Sequence, residues 1–385
     1  MSWRTTTLGD ITNLKRGFDL PKSQRKSGSV PVYSSSGISG SHDTAAVNGP
    51  CVVTGRYGTI GEVFYSEDAC WPLNTSLYSN EFKGNNPRFV YYLLKTIPWA
   101  EYATASAVPG INRNHVNLCP VSIPNKRTQD SIANILSSLD DKIELNQRIN
   151  DYLERCCQSL FDDIQNDRTN EVIQLSDVAA VNPKRHLTKG SLARCVEMAN
   201  LSTSGSFPND WCRKAYSGGM KFMNGDTILA RITPCLENGK TAYINFLDEG
   251  EVAFGSTEYI VLASKGLLPA EFFYFLARNR AFVSYATNHM NGSSGRQRVS
   301  AQDIEAYRLR TPSSSQAARF ADFARPIMEE ILTRSLENRR LSSLRGAPLI
   351  CRLSETPPGL SETCFAESWR RLAPYPLRGA GIGRP

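Results

Sequence analysis

The feature that most constrains this chain is a run of forty residues, 127–166, that contains neither proline nor glycine. Its apolar residues recur at alternating steps of four and three, which is the heptad pattern of helices that pair with another helix. At about 1.5 Å per residue, the run predicts a helix of roughly 60 Å, longer than an ordinary globular helix. Taken alone, such a pattern would favour one long amphipathic helix that packs on its own domain.

A second copy of the pattern changes that interpretation. When the numbering is shifted by 188, Ile132 coincides with Phe320 and Leu153 with Leu341, and the register holds without a gap. The chain is therefore a tandem repeat in which each half ends in a long helix. Because both helices carry the same heptad seam of apolar residues, each is expected to pair with the other. The residues predicted to lie in that seam are Ile132, Leu136, Leu139, Ile143, Asn146, Asn150, Leu153, Phe320, Ile327, Ile331, Asn338 and Leu341.

The sequence before each helix predicts a mixed α/β globule. Serine- and glycine-rich turn segments at 34–43 and 202–210 precede short β-type runs, and a short aromatic helix follows in each half. The predicted class is α+β, with two tandem domains joined and spaced by the two long helices. The predicted boundaries are 1–126 for the first domain, 127–166 for its helix, 167–313 for the second domain, 314–345 for its helix, and 346–385 for a disordered tail.

Charge is distributed unevenly over these segments. Residues 1–126 carry 12 Lys/Arg against 8 Asp/Glu, and residues 167–313 carry 17 against 14, whereas the helix 127–166 carries 4 against 8. Basic globular parts beside an acidic helix suggest that the globular parts meet an anion while the helix meets protein. Ordinary surface composition is the alternative, because an excess of three or four charges over such lengths is small.

Cysteine usage and hydropathy predict an intracellular, cytoplasmic protein. The ten cysteines are scattered without a C-x-x-C pair, and the four histidines are far apart, so reduced thiols are expected and a zinc site is not. The opening residues begin no apolar run of signal-peptide length, and no stretch approaches the length that spans a membrane.

The search for catalytic residues leaves one weak candidate. Asp68 with Glu81 and Lys83 imitates the carboxylate and lysine set of metal-dependent nucleases, so a stand-alone nuclease is the alternative function. The run Gly55–Gly61 resembles a phosphate loop but lacks the GK[ST] ending and a following helix, and it is better interpreted as a corner between two strands. No catalytic, metal or cofactor site is therefore predicted in this chain.

Several short runs follow one another in a fixed order along the chain. These runs are Leu8-Gly-Asp-Ile11, Arg56-Tyr-Gly-Thr-Ile-Gly61, Pro109-Gly-Ile-Asn-Arg-Asn114, Ile123-Pro124, Gln129 with Leu139–Asn146, Gly255–Leu262, Gln316, and Glu337–Leu341. In this order they resemble one family, the specificity (S) subunits of type I restriction–modification enzymes. The resemblance covers about residues 3–345. After Leu344 the sequence only partly matches the family's Leu-Leu-Pro-x-Leu ending, and the likeness then stops.

The resemblance implies two target-recognition domains, each reading half of a split site in double-stranded DNA. It also implies that the two helices pair antiparallel as a coiled-coil spacer and dock methyltransferase (M) subunits. Restriction (R) subunits would complete the assembly. The family's S subunit has no active site, so S-adenosylmethionine, ATP and Mg²⁺ are expected only in the partner subunits.

With DNA as the expected anion, basic residues beside turns are the predicted contacts. These residues are Lys15, Arg16, Lys22, Arg25, Lys26 and Arg56 in the first domain and Lys184, Arg185, Arg231, Arg296 and Arg298 in the second. Their side chains suit phosphate oxygens and guanine edges.

Overall fold

The computed structural model describes residues 3–104, 110–293 and 295–345, which divide into two units. The first unit holds the described residues up to Asp141 together with 342–345, and the second unit holds those from Lys142 to Leu341. Pro109, which opens one of the family motifs, and the tail 346–385 with its predicted disorder lie outside the described residues.

The first unit combines short strands and short helices with the start of one long helix. Its elements are β1 (Arg4–Thr7), α1 (Leu8–Ile11), β2 (Lys15–Arg16), β3 (Val30–Ser34), β4 (Gly37–His42), β5 (Cys51–Gly55), β6 (Val63–Ser66), β7 (Trp71–Pro72), β8 (Ser76–Ser79), α2 (Pro87–Leu94), α3 (Arg113–Val116), β9 (Pro120–Ile123) and the start of α4 (Lys126–Asn166). The strands form three sheets, ordered β2-β8-β5-β6, β4-β3-β7 and β1-β9.

The four-stranded sheet and α2 enclose the core of the first unit. Strand β5 is buried along its whole length because it lies between β6 and β8, and its β-branched Val52 and Val53 suit that position. Helix α2 begins where Asn86 accepts a hydrogen bond from the Phe89 amide and Pro87 occupies the first turn. Phe89 and Leu94 are fully buried against this sheet.

The turn predicted over residues 34–43 is wrong for most of its length. After a tight turn at Ser35-Ser36, residues Gly37–His42 form strand β4, which pairs antiparallel with β3. Gly37 and Gly40 have positive φ angles of 101° and 139°, so the glycines shape this strand without ending it. The basic pair Lys15-Arg16, expected in a loop, likewise forms strand β2 against β8.

The second unit repeats this plan. Its elements are the end of α4, then β10 (Glu171–Gln174), α5 (Leu175–Val178), β11 (Ala179–Val181), β12 (Leu192–Val196), β13 (Cys212–Ala215), β14 (Lys221–Phe222), β15 (Thr227–Ala230), β16 (Thr241–Tyr243), β17 (Ala253–Gly255), β18 (Tyr259–Ser264), α6 (Ala270–Arg278), α7 (Arg280–Asn288), α8 (Ala301–Glu305), β19 (Arg308–Thr311) and α9 (Ser314–Arg345). Its sheets are ordered β11-β18-β15-β16, β13-β12-β17-β14 and β10-β19. The predicted α+β class is confirmed.

The Leu-x-Asp motif that opens each half caps a single helical turn. In α1 the Asp10 carboxylate accepts the Thr7 amide at 3.1 Å, and in α5 Asp177 accepts the Gln174 amide at 3.0 Å. The hydrogen bonds from Thr7 and Thr6 lower the pKa of Asp10 to about 2. The motif is therefore a structural signature of the repeat.

Within the second unit, the two long helices run antiparallel. From Lys142 onward α4 meets α9, since Asn146 bonds to Asn338 at 2.8 Å while Asn150, one turn later, bonds to Ser335 at 3.3 Å. Ile143 and Ile331 are buried. Pro326 lies inside α9, where it leaves one carbonyl without its helical donor.

The outer ends of both helices pack on domain cores. Ile132, Leu136 and, less deeply, Leu139 join the core of the first unit. In the second unit Phe320 is fully buried, with ring centroids 5.6 Å from Phe272 and 5.8 Å from Phe275. The remaining seam residues are half-buried Asn150, Leu153, Ile327 and Asn338 and buried Leu341. One apolar stripe thus serves two purposes, helix pairing and domain packing.

Candidate functional site

An open cleft of about 480 Å³ in the first unit brings together three arginines, Arg16, Arg56 and Arg113. Arg16 ends β2, Arg56 follows β5, and Arg113 opens α3. The remaining lining residues are Tyr57, Leu77, Thr104, Gly110, Ile111, Asn112 and Asn114.

Backbone hydrogen bonds hold the floor of this cleft. The Arg56 amide donates to the Thr75 carbonyl at 2.9 Å, and the Arg56 carbonyl accepts the Ile111 amide at 2.9 Å. Gly110 passes so close to Tyr57 that a β-carbon there would lie 2.4 Å from the ring. The two motifs R-Y-G-T-I-G and G-I-N-R-N are therefore joined by backbone hydrogen bonds, and the close approach of Tyr57 requires glycine at position 110.

The cleft is positively charged and carries an exposed aromatic ring. The Arg56 guanidinium lies 4.6 Å from the ring centroid of Tyr57, whose side chain is 40% exposed. Arg16 has a single distant ion pair, to Asp19 at 3.9 Å, and both side chains are more than half exposed. A guanidinium group can donate two parallel hydrogen bonds to the oxygens of one phosphate. An exposed tyrosine ring offers a face on which a base can stack.

The other basic candidates of the first unit do not line the cleft. Lys15 pairs with Glu81 at 3.5 Å, and Arg25 donates to the Ser39 carbonyl at 2.8 Å. Lys22 and Lys26 are exposed on the segment between β2 and β3. The structure therefore brings two predicted residues, Arg16 and Arg56, into one site and leaves these four outside it.

In the second unit, the predicted arginines are mostly paired with carboxylates. Arg298 meets Glu258 at 2.6 and 2.9 Å, and Arg231 lies 3.8 Å from the same carboxylate. The hydrogen bond from Arg298 lowers the pKa of Glu258. Arg185 is tied to Asp226, a buried carboxyl whose pKa is raised by burial. Lys184 and Arg296 are exposed.

The residues of the alternative nuclease site serve structural contacts. Glu81 accepts the Asn13 amide at 2.9 Å, which lowers its pKa, and Lys83 donates to the Gly9 carbonyl at 2.6 Å. Asp68 is exposed beside β6. Within residues 3–104, 110–293 and 295–345, no group of three or more acidic, histidine or cysteine side chains is placed to hold a metal ion. The described cysteines are free thiols.

Sequence reasoning missed Arg113 and Tyr57 as site residues. Both lie in motifs that were noted for family resemblance, but Arg113 is far from the other basic residues in sequence and Tyr57 carries no charge. The helices of the described segments include none that is long and apolar enough to cross a membrane.

Comparison with known proteins shows what the chain is similar to. Residues 1–155 match the family model of the type I restriction modification DNA specificity domain. The chain is 28% identical over 213 residues to the type I restriction enzyme EcoEI specificity subunit of Escherichia coli, which is 53% of this chain and 35% of that protein. It is 38% identical over 81 residues to the HindI specificity subunit of Haemophilus influenzae, 20% of this chain and 18% of that protein.

These alignments span about a third or less of the curated relatives. A solved structure agrees in fold over a greater length: the S subunit of the type I restriction–modification system from M. genitalium superposes with a TM-score of 0.59. At 16% identity, that match covers 89% of this chain and 94% of the other. The predicted resemblance to type I specificity subunits is confirmed.

Proposed function

We propose that the whole chain is the specificity subunit of a type I restriction–modification complex, because residues 1–155 match the family model of the type I restriction modification DNA specificity domain. It reads a bipartite DNA site with two recognition domains, 1–126 and 167–313, and performs no catalysis itself. The observation that carries the proposal is the repeated arginine at a strand end. Arg56 and Arg231 donate their amides to matching strands, to Thr75 and Glu258 respectively, at 2.9 Å.

The arginine cleft supports DNA as the ligand. Arg16, Arg56 and Arg113 form a small positive site, and Tyr57 adds a stacking surface. Few phosphate contacts of this kind give weak, salt-sensitive binding that does not depend on sequence. The isolated chain therefore binds DNA weakly, and specificity develops in the complex with methyltransferase subunits.

The long helices support a scaffold role. Large apolar side chains are exposed on α4 at Ile135, Leu145 and Tyr152, and on α9 at Phe323. Ile135 and Phe323 are 188 residues apart, so each repeat exposes an apolar side chain at the same position. We assign these surfaces to methyltransferase subunits, with restriction subunits joining through them; the helices also set the spacer between half-sites. S-adenosylmethionine, ATP and Mg²⁺ belong to those partners.

Methylation mapping tests the proposal. The chain is coexpressed with the methyltransferase subunit of its own system, and methylated adenines are located in host DNA. The expected result is a split site in which replacement of residues 1–126 by another member's domain changes one half only. Replacement of 167–313 is the matched exchange and changes the other half. A change of both halves by either exchange, or DNA cleavage by the chain alone with Mg²⁺, would refute the proposal.

A further inference from the structure

The two units build the same backbone framework around different side chains. In the first, Gly55 pairs with Ser76, and in the second, Ala230 pairs with Tyr259 at the same ladder position. The next residue in each strand, Arg56 or Arg231, donates its amide across the ladder. Thr75 and Glu258, the two acceptors, are therefore structurally equivalent.

A second backbone contact extends the match. The Arg56 carbonyl accepts the Ile111 amide at 2.9 Å, and the Arg231 carbonyl accepts the Val299 amide at 3.0 Å. Ile111 and Val299 are 188 residues apart, which is the repeat length. The residues before them, Gly110 and Arg298, are therefore equivalent as well.

The side chains at these positions distribute charge differently in the two units. Glu258 makes a forked contact with Arg298 and lies 3.8 Å from Arg231, so its carboxylate engages both arginines of the second unit. The hydrogen bond from Arg298 lowers the pKa of Glu258, in agreement with the close contact between the two side chains. In the first unit the same place holds Thr75, whose hydroxyl is buried without a hydrogen-bond partner among the described residues.

Arg56 therefore has no counterpart of Glu258. Among the described residues, its guanidinium contacts the Tyr57 ring and faces the cleft that it shares with Arg16 and Arg113. A phosphate can approach Arg56 without displacing a carboxylate of the described residues. In the second unit, a phosphate that approaches Arg231 must first compete with Glu258.

We propose that the two recognition domains hold DNA unequally: the arginine cleft of the first domain binds a backbone phosphate, and Glu258 blocks the equivalent phosphate contact in the second. This inference rests on the proposed DNA function. It names Glu258, which stands where the first domain has Thr75, as the residue that makes the two domains differ. Exchange of the two equivalent residues, Thr75→Glu and Glu258→Thr, should reverse the inequality.

The size of the effect follows from counterion release. Each phosphate contact contributes about 0.9 to the slope of log affinity against log salt, which is roughly a threefold to fourfold change in affinity between 50 and 200 mM salt. Arg56→Gln and Thr75→Glu should each lower the slope by about one contact. Arg231→Gln should leave it unchanged, and Glu258→Thr should raise it by about one to two contacts, because Glu258 holds both Arg231 and Arg298.

The test uses the full chain and a labelled duplex of mixed sequence, with binding followed by fluorescence anisotropy over a salt series. Thr5→Glu, on exposed strand β1, makes the same substitution as Thr75→Glu outside the cleft. Glu249→Thr removes an exposed carboxylate as Glu258→Thr does. Both controls should keep the wild-type slope to within half a contact.

The outcomes distinguish a failure of the unequal-binding inference from a failure of the proposed DNA function. A wild-type chain that fails to bind the duplex even at low salt refutes the DNA function, and the inference with it. Binding with equal losses for Arg56→Gln and Arg231→Gln refutes the inference and leaves the DNA function standing. If Thr75→Glu does not fold, as shown by circular dichroism, Arg56→Gln and Glu258→Thr still decide the question.

Discussion

The paired asparagines between the long helices permit a quantitative test of how α4 recognises α9. Asn146 is completely buried, and its amide donates to Asn338 at 2.8 Å and to the Glu337 carboxylate at 2.7 Å. The Asn338 amide in turn donates to the Ile143 carbonyl at 3.3 Å. Asn146→Leu keeps the number and branching of the side-chain heavy atoms and removes the donor.

The magnitude follows from what the substitution leaves behind. The side-chain oxygen of Asn338 loses its donor within a mostly apolar seam, which costs about 1–3 kcal/mol. Glu337 is 43% exposed, so water replaces most of its lost bond. We therefore expect a loss of about 2 kcal/mol for Asn146→Leu. Asn338→Leu should cost less, because the Asn146 amide keeps its hydrogen bond to Glu337. The double variant should return to within about 1 kcal/mol of wild type, because neither asparagine is then left unpaired. Arg334, which donates to Asn146 at 3.4 Å, keeps its ion pair with Glu330 at 2.7 Å.

Native-state hydrogen exchange measures this directly as the opening free energy of amides in 143–153 and 331–341. Gln147→Leu, on the exposed face of the same turn, is the control and should change the opening free energy by less than about 0.5 kcal/mol. Additive losses in the double variant would show that the two asparagines do not act as a pair, and the reasoning would fail.

Three further predictions concern the second unit. Phe320→Ala should lower its unfolding free energy in urea by about 3–5 kcal/mol because the ring is fully buried, whereas Phe323→Ala, at a 43% exposed ring, should cost less than about 1 kcal/mol. Asn150→Leu should leave stability unchanged or raise it, since the side-chain oxygen of Asn150 is buried without a partner among the described residues; a loss above about 1 kcal/mol in the same assay would contradict this. Burial raises the pKa of Glu154, so its contribution to stability is full below the unfolded-state pKa and is lost as pH rises through the folded-state pKa. Glu154→Gln should flatten the dependence of the melting temperature on pH across that acid range, and an unchanged profile would contradict the assignment.

Local sequence rules account for the elements, and tertiary contacts account for the site. The absence of proline and glycine over 127–166 and its heptad spacing are local signals, and the helix runs from Lys126 to Asn166. Pro326 did not prevent the second helix, because packing of Phe320 and Ile331 on either side overrides a single missing hydrogen bond. Short small-residue strands such as β4 carry the composition of a turn, so pairing with β3 decided their structure.

The charged residues of the candidate site show more clearly what the sequence alone does not predict. Arg56 and Arg231 read alike in sequence, each following a short buried strand. Their difference lies in Thr75 and Glu258, which are 19 and 27 residues downstream and become neighbours only through the sheet. Whether two residues so far apart in sequence become neighbours depends on the register of the strand pairing. Composition and charge do not determine that register. For the same reason, the sequence did not predict that Arg113 lines the cleft.

The contact between Asn146 and Asn338 also has a consequence for synthesis on the ribosome. The two residues are 192 positions apart. At about 5–20 residues per second, α4 leaves the ribosome roughly 10–40 s before its partner on α9 exists. Helices form in about a microsecond, so the seam around Ile143 and Leu153 is complete and unpaired throughout that interval. On a message read by several ribosomes, the α9 of a finished chain can pair with the waiting α4 of its neighbour, and slower translation after residue 166 lengthens that competition.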